Sequence, residues 1–239
     1  MSKSIIKNIK DNLDKEYHIF NCGISKKEKN ILEHFNVEKT DQYSNFDNLD
    51  SLVNDLKIFL ESVGNNKSQH VIIIINLILK IMKNVLEGYS KPACWFTIRV
   101  SLPTDAFKIP RWHTDGKYFG NYDKQSKFIL TLKGEGTLLA DCDKETRNKL
   151  FEIKNKFPID KKQSEEDRIT RNEIIKENIK ENKCDIKQVP NYKGIIITVG
   201  NREKSALHSE PDITETRIFI SILPGSKEEI LELKKFWKK

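Results

Sequence analysis

The chain has 239 residues, of which 37% are hydrophobic and 32% charged, with a formal net charge of +7. That apolar share supports a sizeable core and excludes a chain that stays unfolded for want of burial. Only seven of the 42 basic residues are Arg, and Lys spread through every segment predicts a diffuse positive surface rather than a nucleic-acid groove.

The N-terminal residues Met1 to Lys7 form no continuous apolar signal region, and the most apolar run, Val71 to Leu79, is interrupted by Asn76 and too short for a membrane span. Cys22, Cys94, Cys142 and Cys184 form no CxxC pair and have no His at zinc-finger spacing, so they read as isolated thiols of a reducing compartment. The expected location is intracellular and cytoplasmic, with no membrane partner.

In chain order, residues 1 to 92 read as mostly helical. Ser25 to Phe35 and Asn48 to Val63 carry apolar positions at three- and four-residue intervals. Ser68 is placed to cap a long helix from Gln69 to Glu87, with Gly88 at its end. On that helix Val71, Ile74, Ile75, Ile78, Met82 and Val85 form one stripe, which Ile72, Ile73 and Leu77 widen, so it must be covered on several sides. His18, His34 and His70 read as ordinary residues of this region.

From Ala93 the pattern changes to short strands: 94–102, 107–112, 127–132, 137–140, 185–189, 194–200, 205–210 and 216–223, the last ending at Pro224-Gly225. About eight antiparallel strands predict a jelly-roll barrel. Between Asp143 and Lys187 the composition turns dense in Lys and Glu, and Ser164 to Lys183 is expected to form a mainly exposed helix. On composition this insert reads as a solvated excursion, with a lid or substrate-recognition element as the alternative. The chain is read as one domain, 1–239: a helical cover over 1–92, a barrel core over 93–142 and 185–225, a charged insert over 143–184 and a C-terminal helix over 226–239.

One constellation points to chemistry. His113-Thr114-Asp115 is answered far downstream by His208 and then Arg217. Two neutral imidazoles and a carboxylate hold a divalent iron on one face of an octahedron and leave the other positions for a bidentate organic acid and O2. His113 and Asp115 reach one metal only from an extended segment, because residues two apart then share a face. Pro110 disfavours a helix running into them and Gly116 offers a break after them. Alone, an HxD triplet carries little weight, and a His-Asp hydrogen bond is its structural counterpart; Arg217 has its own, an ion pair with Glu215 or Asp212. The order of all these residues along a strand series is what gives them force.

These residues resemble the Fe(II)/2-oxoglutarate-dependent dioxygenases with a double-stranded β-helix core, over residues 93 to 225. The resemblance implies an α+β fold: a double-stranded β-helix (jelly-roll, cupin-like) barrel with N-terminal helices packed on it and a helical insert. It implies His113, Asp115 and His208 as metal ligands, Fe(II) and 2-oxoglutarate as cofactors, and Arg217 as the group that grips the far carboxylate of 2-oxoglutarate. The branch with Arg often has Ser two residues later. Here Phe219 stands there and Ser221 follows two beyond, so Ser221, Thr131, Tyr118 and Arg99 are candidates for the missing contact, with Thr131 preferred. Trp112 is expected to pack under the site, with lining it as the alternative.

The implied reaction uses O2 to hydroxylate or demethylate a substrate the sequence does not identify. No Arg follows Arg217, which favours a protein side chain or a small molecule over nucleic acid. Two alternatives stay open: an iron-dependent oxidase that dispenses with 2-oxoglutarate, and a non-catalytic basic binding module on a jelly-roll scaffold.

Overall fold

A computed structural model describes residues 2–46, 49–120, 125–157, 164–201 and 203–237. The N-terminal part runs α1 (Ser2–Lys10), β1 (Tyr17–Asn21), α2 (Lys26–Glu33), β2 (Asp41–Asn45), α3 (Leu52–Ser62) and α4 (Ser68–Tyr89). Then come β3 (Ala93–Ser101), β4 (Gln125–Lys133), β5 (Leu138–Asp141), α5 (Lys144–Lys156) and α6 (Glu165–Glu181). The chain continues with β6 (Asp185–Gln188), β7 (Lys193–Val199), β8 (Leu207–Ser209), β9 (Arg217–Gly225) and α7 (Lys227–Trp237). Among the described residues no helix is long and apolar enough to cross a membrane.

The strands form two antiparallel sheets, a six-stranded one in the order β1-β7-β4-β9-β3-β2 and a three-stranded one in the order β6-β5-β8. The first curls over the second to give an α+β double-stranded β-helix. Strict alternation divides each long strand of the larger sheet between two environments. Phe96, Ile98 and Val100 on β3, Phe128, Leu130 and Leu132 on β4, and Ile218, Ile220 and Ile222 on β9 pack against Val71, Ile74, Ile78 and Val85 of α4. The intervening residues face inward, where Ile129, Ile195, Ile197 and Val199 meet Leu139 and Ala206 of the smaller sheet and its approach. Each fully buried aliphatic side chain of this kind contributes about 1.5–3 kcal/mol relative to exposure, and the outer layer of them holds α4 across the back of the sheet.

Several expectations are corrected. The first 92 residues are not only a helical cover, because β1 and β2 pair with β7 and β3 and form the two edges of the larger sheet; both strands are five residues long and too short for a periodic signal. Residues 107–112 form no strand: Asp105–Phe107 is a 3-10 turn, capped by the Thr104 hydroxyl accepting from the Ala106 N–H. Ser68 lies inside α4 and Lys67 occupies the cap position without a side-chain bond. Gly88 is likewise internal to α4, where a Cβ would lie 2.9 Å from Ile9, and the helix closes instead at Ser90 in the left-handed region. The last strand runs through Pro224 to Gly225 rather than stopping before them. By contrast α2 follows its sequence signal closely, with a capping box in which the Ser25 hydroxyl accepts from the Glu28 N–H at 3.2 Å and the Glu28 carboxylate accepts from the Ser25 N–H at 2.7 Å.

The insert departs most from expectation. It holds two helices, and Leu150 of α5 with Ile175 and Ile179 of α6 is buried against Trp112, Ala140 and Leu207. It is therefore docked on the smaller sheet, not a solvated excursion. Its two ends are joined by a disulfide between Cys142 and Cys184, with Cα atoms 4.7 Å apart. These two cysteines are thus not isolated thiols, unlike Cys22 and Cys94, which are free and buried. The reason is register: Asp141 on β5 pairs with Asp185 on β6, which brings the adjoining residues face to face.

A bridge spanning a sequence separation of 42 residues restrains the unfolded chain appreciably. Cys142→Ser is expected to lower the unfolding free energy by about 2–4 kcal/mol, read from denaturant titration of the oxidised protein. Coincident midpoints for variant and parent would show that the bridge adds nothing.

Candidate functional site

The site begins with a single β-bridge. His113 lies in an extended stretch and pairs with His208 on β8, exchanging both backbone bonds: the His113 N–H donates to the His208 carbonyl at 2.9 Å and the His208 N–H to the His113 carbonyl at 3.0 Å. Directly opposed residues in such a pair project to the same face, and the two imidazole centroids stand 4.3 Å apart. Asp115, two residues on, shares that face. Its backbone is fixed by the Gly200 N–H, which donates to the Asp115 carbonyl at 3.0 Å.

The three side chains converge. One ligand atom from each of His113, Asp115 and His208 can be chosen so that all lie within 4.8 Å of one another. The Asp115 carboxylate is 3.9 Å from His113 Nε2 and 3.7 Å from His208 Nε2. The far nitrogens are spoken for: His113 Nδ1 donates to the Arg111 carbonyl at 2.7 Å and His208 Nδ1 to the Ala206 carbonyl at 3.0 Å. A carbonyl can only accept, so each neutral ring carries its proton on Nδ1 and turns the Nε2 lone pair to the shared point. That outer hydrogen bond is what orients a metal-binding imidazole.

Electrostatics agree with neutral rings and an ionised carboxylate. Burial pushes the His208 pKa down to about 4, helped by the neighbouring His113, and burial likewise lowers His113. For Asp115 burial acts upward, but the Lys127 ammonium beside it outweighs that and holds the carboxyl well below its usual range. Lys127 Nζ stands 2.5 Å from Asp115 Oδ2, a close ion pair in the position a bound cation would share. Two lone-pair nitrogens and an anionic carboxylate form a donor set that fits a divalent cation.

Behind the ligands the barrel interior encloses a cavity of about 500 Å³ lined by His113, Asp115, His208 and Arg217. The inward residues of β9, namely Arg217, Phe219, Ser221 and Leu223, form one wall, as their shared face required. Arg217 is 2% exposed. Its Nε donates to the Glu135 carbonyl at 2.8 Å, and one terminal nitrogen lies 3.4 Å from the hydroxyls of both Thr131 and Thr137. Gly134 makes this contact possible: with φ +80 it turns the chain so closely that a Cβ would stand 2.6 Å from the Thr216 carbonyl. Among the described residues no carboxylate lies within ion-pair range of Arg217, so neither Glu215 nor Asp212 is its partner. Burial lowers its pKa to about 10.

The other expected residues fall in different places. Tyr118 lines the cavity beside Asp115, and burial with that charge raises its hydroxyl pKa. Thr131 touches Arg217 rather than lining the cavity, whereas Thr137, which sequence reasoning missed, does both. Arg99 donates to Gln42 at 3.1 Å and to Glu210 at 3.4 Å. Glu210 and Lys127 were also missed; their signal was spacing alone, Glu210 two residues beyond His208 and Lys127 inward on β4. Glu210 binds Arg111 at 2.5 Å, and although burial acts upward, His113 and Arg111 lower its pKa to about 2. Trp112 is 4% exposed, packs against Ala140, Leu150, Ile175 and Leu207, and also borders the space in front of His113 and Asp115.

No protein-family model and no curated protein sequence matches the chain. Among solved structures, similar ones include the apo Kdo hydroxylase KdoO, described as a non-heme Fe(II) alphaketoglutarate dependent dioxygenase, at 14% identity and TM-score 0.46 over 100% of this chain and 92% of that one. Others are a Pseudomonas putida prolyl-4-hydroxylase, at 6% identity and TM-score 0.42 over 93% and 98% of the two chains, and a Trichoplax adhaerens prolyl hydroxylase in complex with a hypoxia inducible factor peptide fragment, at 7% identity and TM-score 0.38 over 97% and 91%. These likenesses are remote, and the chemistry of this site is read from its own residues.

Lys127 competes with a cation for the same carboxylate oxygen. Lys127→Met is therefore expected to tighten Co(II) binding about tenfold, equivalent to ~1.4 kcal/mol, in a titration followed by visible absorption. Weaker binding in the variant would show instead that the ammonium orients Asp115.

Proposed function

We propose that this chain is an Fe(II)- and 2-oxoglutarate-dependent oxygenase. In this reading His113, Asp115 and His208 hold the iron, and Arg217 receives the far carboxylate of 2-oxoglutarate. Thr131 and Thr137 orient the guanidinium, while Ser221 and Tyr118 line the same cavity. The carrying observation is Arg217: a buried guanidinium with no carboxylate partner among the described residues, in the cavity it shares with all three candidate ligands. Burying an unpaired charge is costly, and a diacid that pairs with it offsets that cost with planar, bidentate bonds.

Bound iron supplies the redox chemistry with O2. The overall reaction balances as substrate C–H plus 2-oxoglutarate plus O2 giving C–OH, succinate and CO2, with one oxygen atom entering each organic product. A hydroxyl formed beside nitrogen leads on to demethylation. The chain's own groups bind, orient and dry the site. Glu210 occupies Arg99 and Arg111, which leaves Arg217 as the cation that selects the diacid. Ile129, Phe219 and Leu223 give the cavity apolar walls that limit water. The chain acts as one domain in this reading, a view supported by the packing of the N-terminal helices and α7 on the same strands and of the insert on the smaller sheet.

An anaerobic titration with Fe(II) and 2-oxoglutarate is expected to produce the weak visible charge-transfer band of an iron-bound keto acid, without any primary substrate. His113→Ala and His208→Ala should abolish it. Arg217→Met should weaken 2-oxoglutarate by about 10–100-fold, the loss of charge-assisted bonds, while leaving metal affinity nearly unchanged. In aerobic turnover, succinate release must track O2 uptake. O2 consumption without succinate would point to an oxidase that dispenses with 2-oxoglutarate, and no metal binding would leave only a binding module.

A further inference from the structure

His113 and Asp115 also form the wall of a second cavity, of about 530 Å³, on the side facing the insert. Four of the chain's seven arginines line it, Arg111, Arg147, Arg168 and Arg171, together with Lys154. Among the lining residues Asp115 is the only carboxylate. In a chain whose positive charge is otherwise carried by Lys, this concentration of planar, five-donor guanidinium groups is a local departure from composition.

The cations differ in how they are held. Arg111 pairs with Glu210, and Arg147 pairs with Glu16 and donates to the Ser205 carbonyl at 2.9 Å, both from behind the cavity. Arg168 meets Glu165 at 3.0 Å, but that carboxylate is 78% exposed and its attraction is screened. Lys154 Nζ has the Thr114 carbonyl at 3.4 Å, and among the described residues no carboxylate lies within ion-pair range of it. Arg171 is 4% exposed and directs donors at the Asn172 side-chain oxygen at 3.2 and 3.4 Å. Burial, then the like charges of Arg111 and Arg168, lower the Arg171 pKa. Arg168 and Lys154, both partly exposed, are the cations here that the described carboxylates engage least. Trp112, Leu150 and Ile175 supply an apolar surface beside them, suited to the carbon body of the same molecule.

We propose that this cavity is the primary-substrate pocket and that it takes a small organic anion, with a phosphate or carboxylate group received by Arg168, Arg171 and Lys154 and the carbon to be oxidised turned to His113 and Asp115. The proposal rests on the oxygenase reading and adds the substrate class to it. A volume of about 530 Å³ lies in the range of small-molecule sites, and walls formed by both insert helices suit an enclosed molecule better than a nucleic-acid strand, which needs a continuous basic groove. The insert is then the element that sets specificity, while the barrel behind the metal holds the co-substrate.

The test is isothermal titration of the metal-free, disulfide-bonded full chain at low ionic strength with inorganic pyrophosphate, citrate and a 12-nucleotide single strand. Saturable binding of one pyrophosphate or one citrate per chain is expected, and the tighter of the two identifies the charged group. Arg168→Gln should weaken it about tenfold, and Lys154→Met combined with Arg168→Gln further, as lost charge-assisted bonds imply. Arg171→Leu removes a buried group that could be needed for folding, so these two partly exposed positions carry the test. Arg217→Met must leave the affinity unchanged; a loss there would place the anion in the co-substrate cavity and overturn the proposal. No saturable binding, or binding insensitive to the double variant, would also overturn it, as would an oligonucleotide that binds more tightly than both small anions. The charge-transfer band of Fe(II) and 2-oxoglutarate, recorded on the same samples, separates the two readings. A band without anion binding removes this proposal alone, whereas anion binding without a band removes the oxygenase reading and the substrate role with it.

Discussion

The two backbone hydrogen bonds between His113 and His208 are the constraint on which the site depends. They fasten a segment with no other ladder partner to the edge of the smaller sheet, and they settle at once the spacing and direction of two side chains separated by 95 positions in sequence. Asp115 follows from the same bridge, because extended backbone returns every second side chain to the same face, and the Gly200 N–H bond to its carbonyl fixes it there. The Nδ1 bonds to the carbonyls of Arg111 and Ala206 repeat one local device on both strands: each ring is held by the backbone two residues before it. Geometry that could have required many tertiary contacts is thus built from one bridge, one further backbone bond from Gly200 and two short local loops.

Much of this is legible because strand segments carry local signals. Alternation marks β3, apolar runs bracketed by glycine or proline mark β4, β7 and β9, and extended backbone places Arg217, Phe219 and Ser221 on one face. What these signals could not convey is which face meets helices and which meets the cavity, since both are apolar in large part: Ile129 and Leu130 are each buried, in different layers. β1 and β2 were illegible for a related reason. Five-residue edge strands such as Asp41–Asn45, largely polar, acquire their conformation from the strand they pair with rather than from their own composition. The 107–112 segment shows the converse, since its apolar residues suggested a strand where Pro110 and the 3-10 turn leave only the isolated bridge at His113.

The insert was misjudged because composition averages over a helix while packing does not. Along α6 the apolar residues are too sparse to produce an amphipathic pattern, yet Ile175 and Ile179, one turn apart, bury against Trp112, Leu207 and Leu150. Trp112 immediately precedes His113, so the docking of the insert and the position of a metal-binding side chain share one anchor. The disulfide between Cys142 and Cys184 closes the insert at its base, and the loss in chain freedom falls on the element that carries most of the basic residues facing the second cavity.

The charges of the two cavities are linked through the residues they share. Glu210 compensates Arg111, but Lys127 and Arg217 still place cations around one carboxylate and two neutral rings, which by itself opposes a divalent ion. Anionic partners resolve this. A diacid paired with Arg217 removes one repelling charge and brings oxygen donors with it, so metal and diacid must each strengthen the other's binding by the same factor, as thermodynamic reciprocity demands. An anion held by Arg168, Arg171 and Lys154 adds to that effect from the other side. The arrangement therefore favours a fully assembled site over any partly loaded one, and a reactive centre that is electrostatically satisfied only when all its ligands are present is poorly populated in their absence.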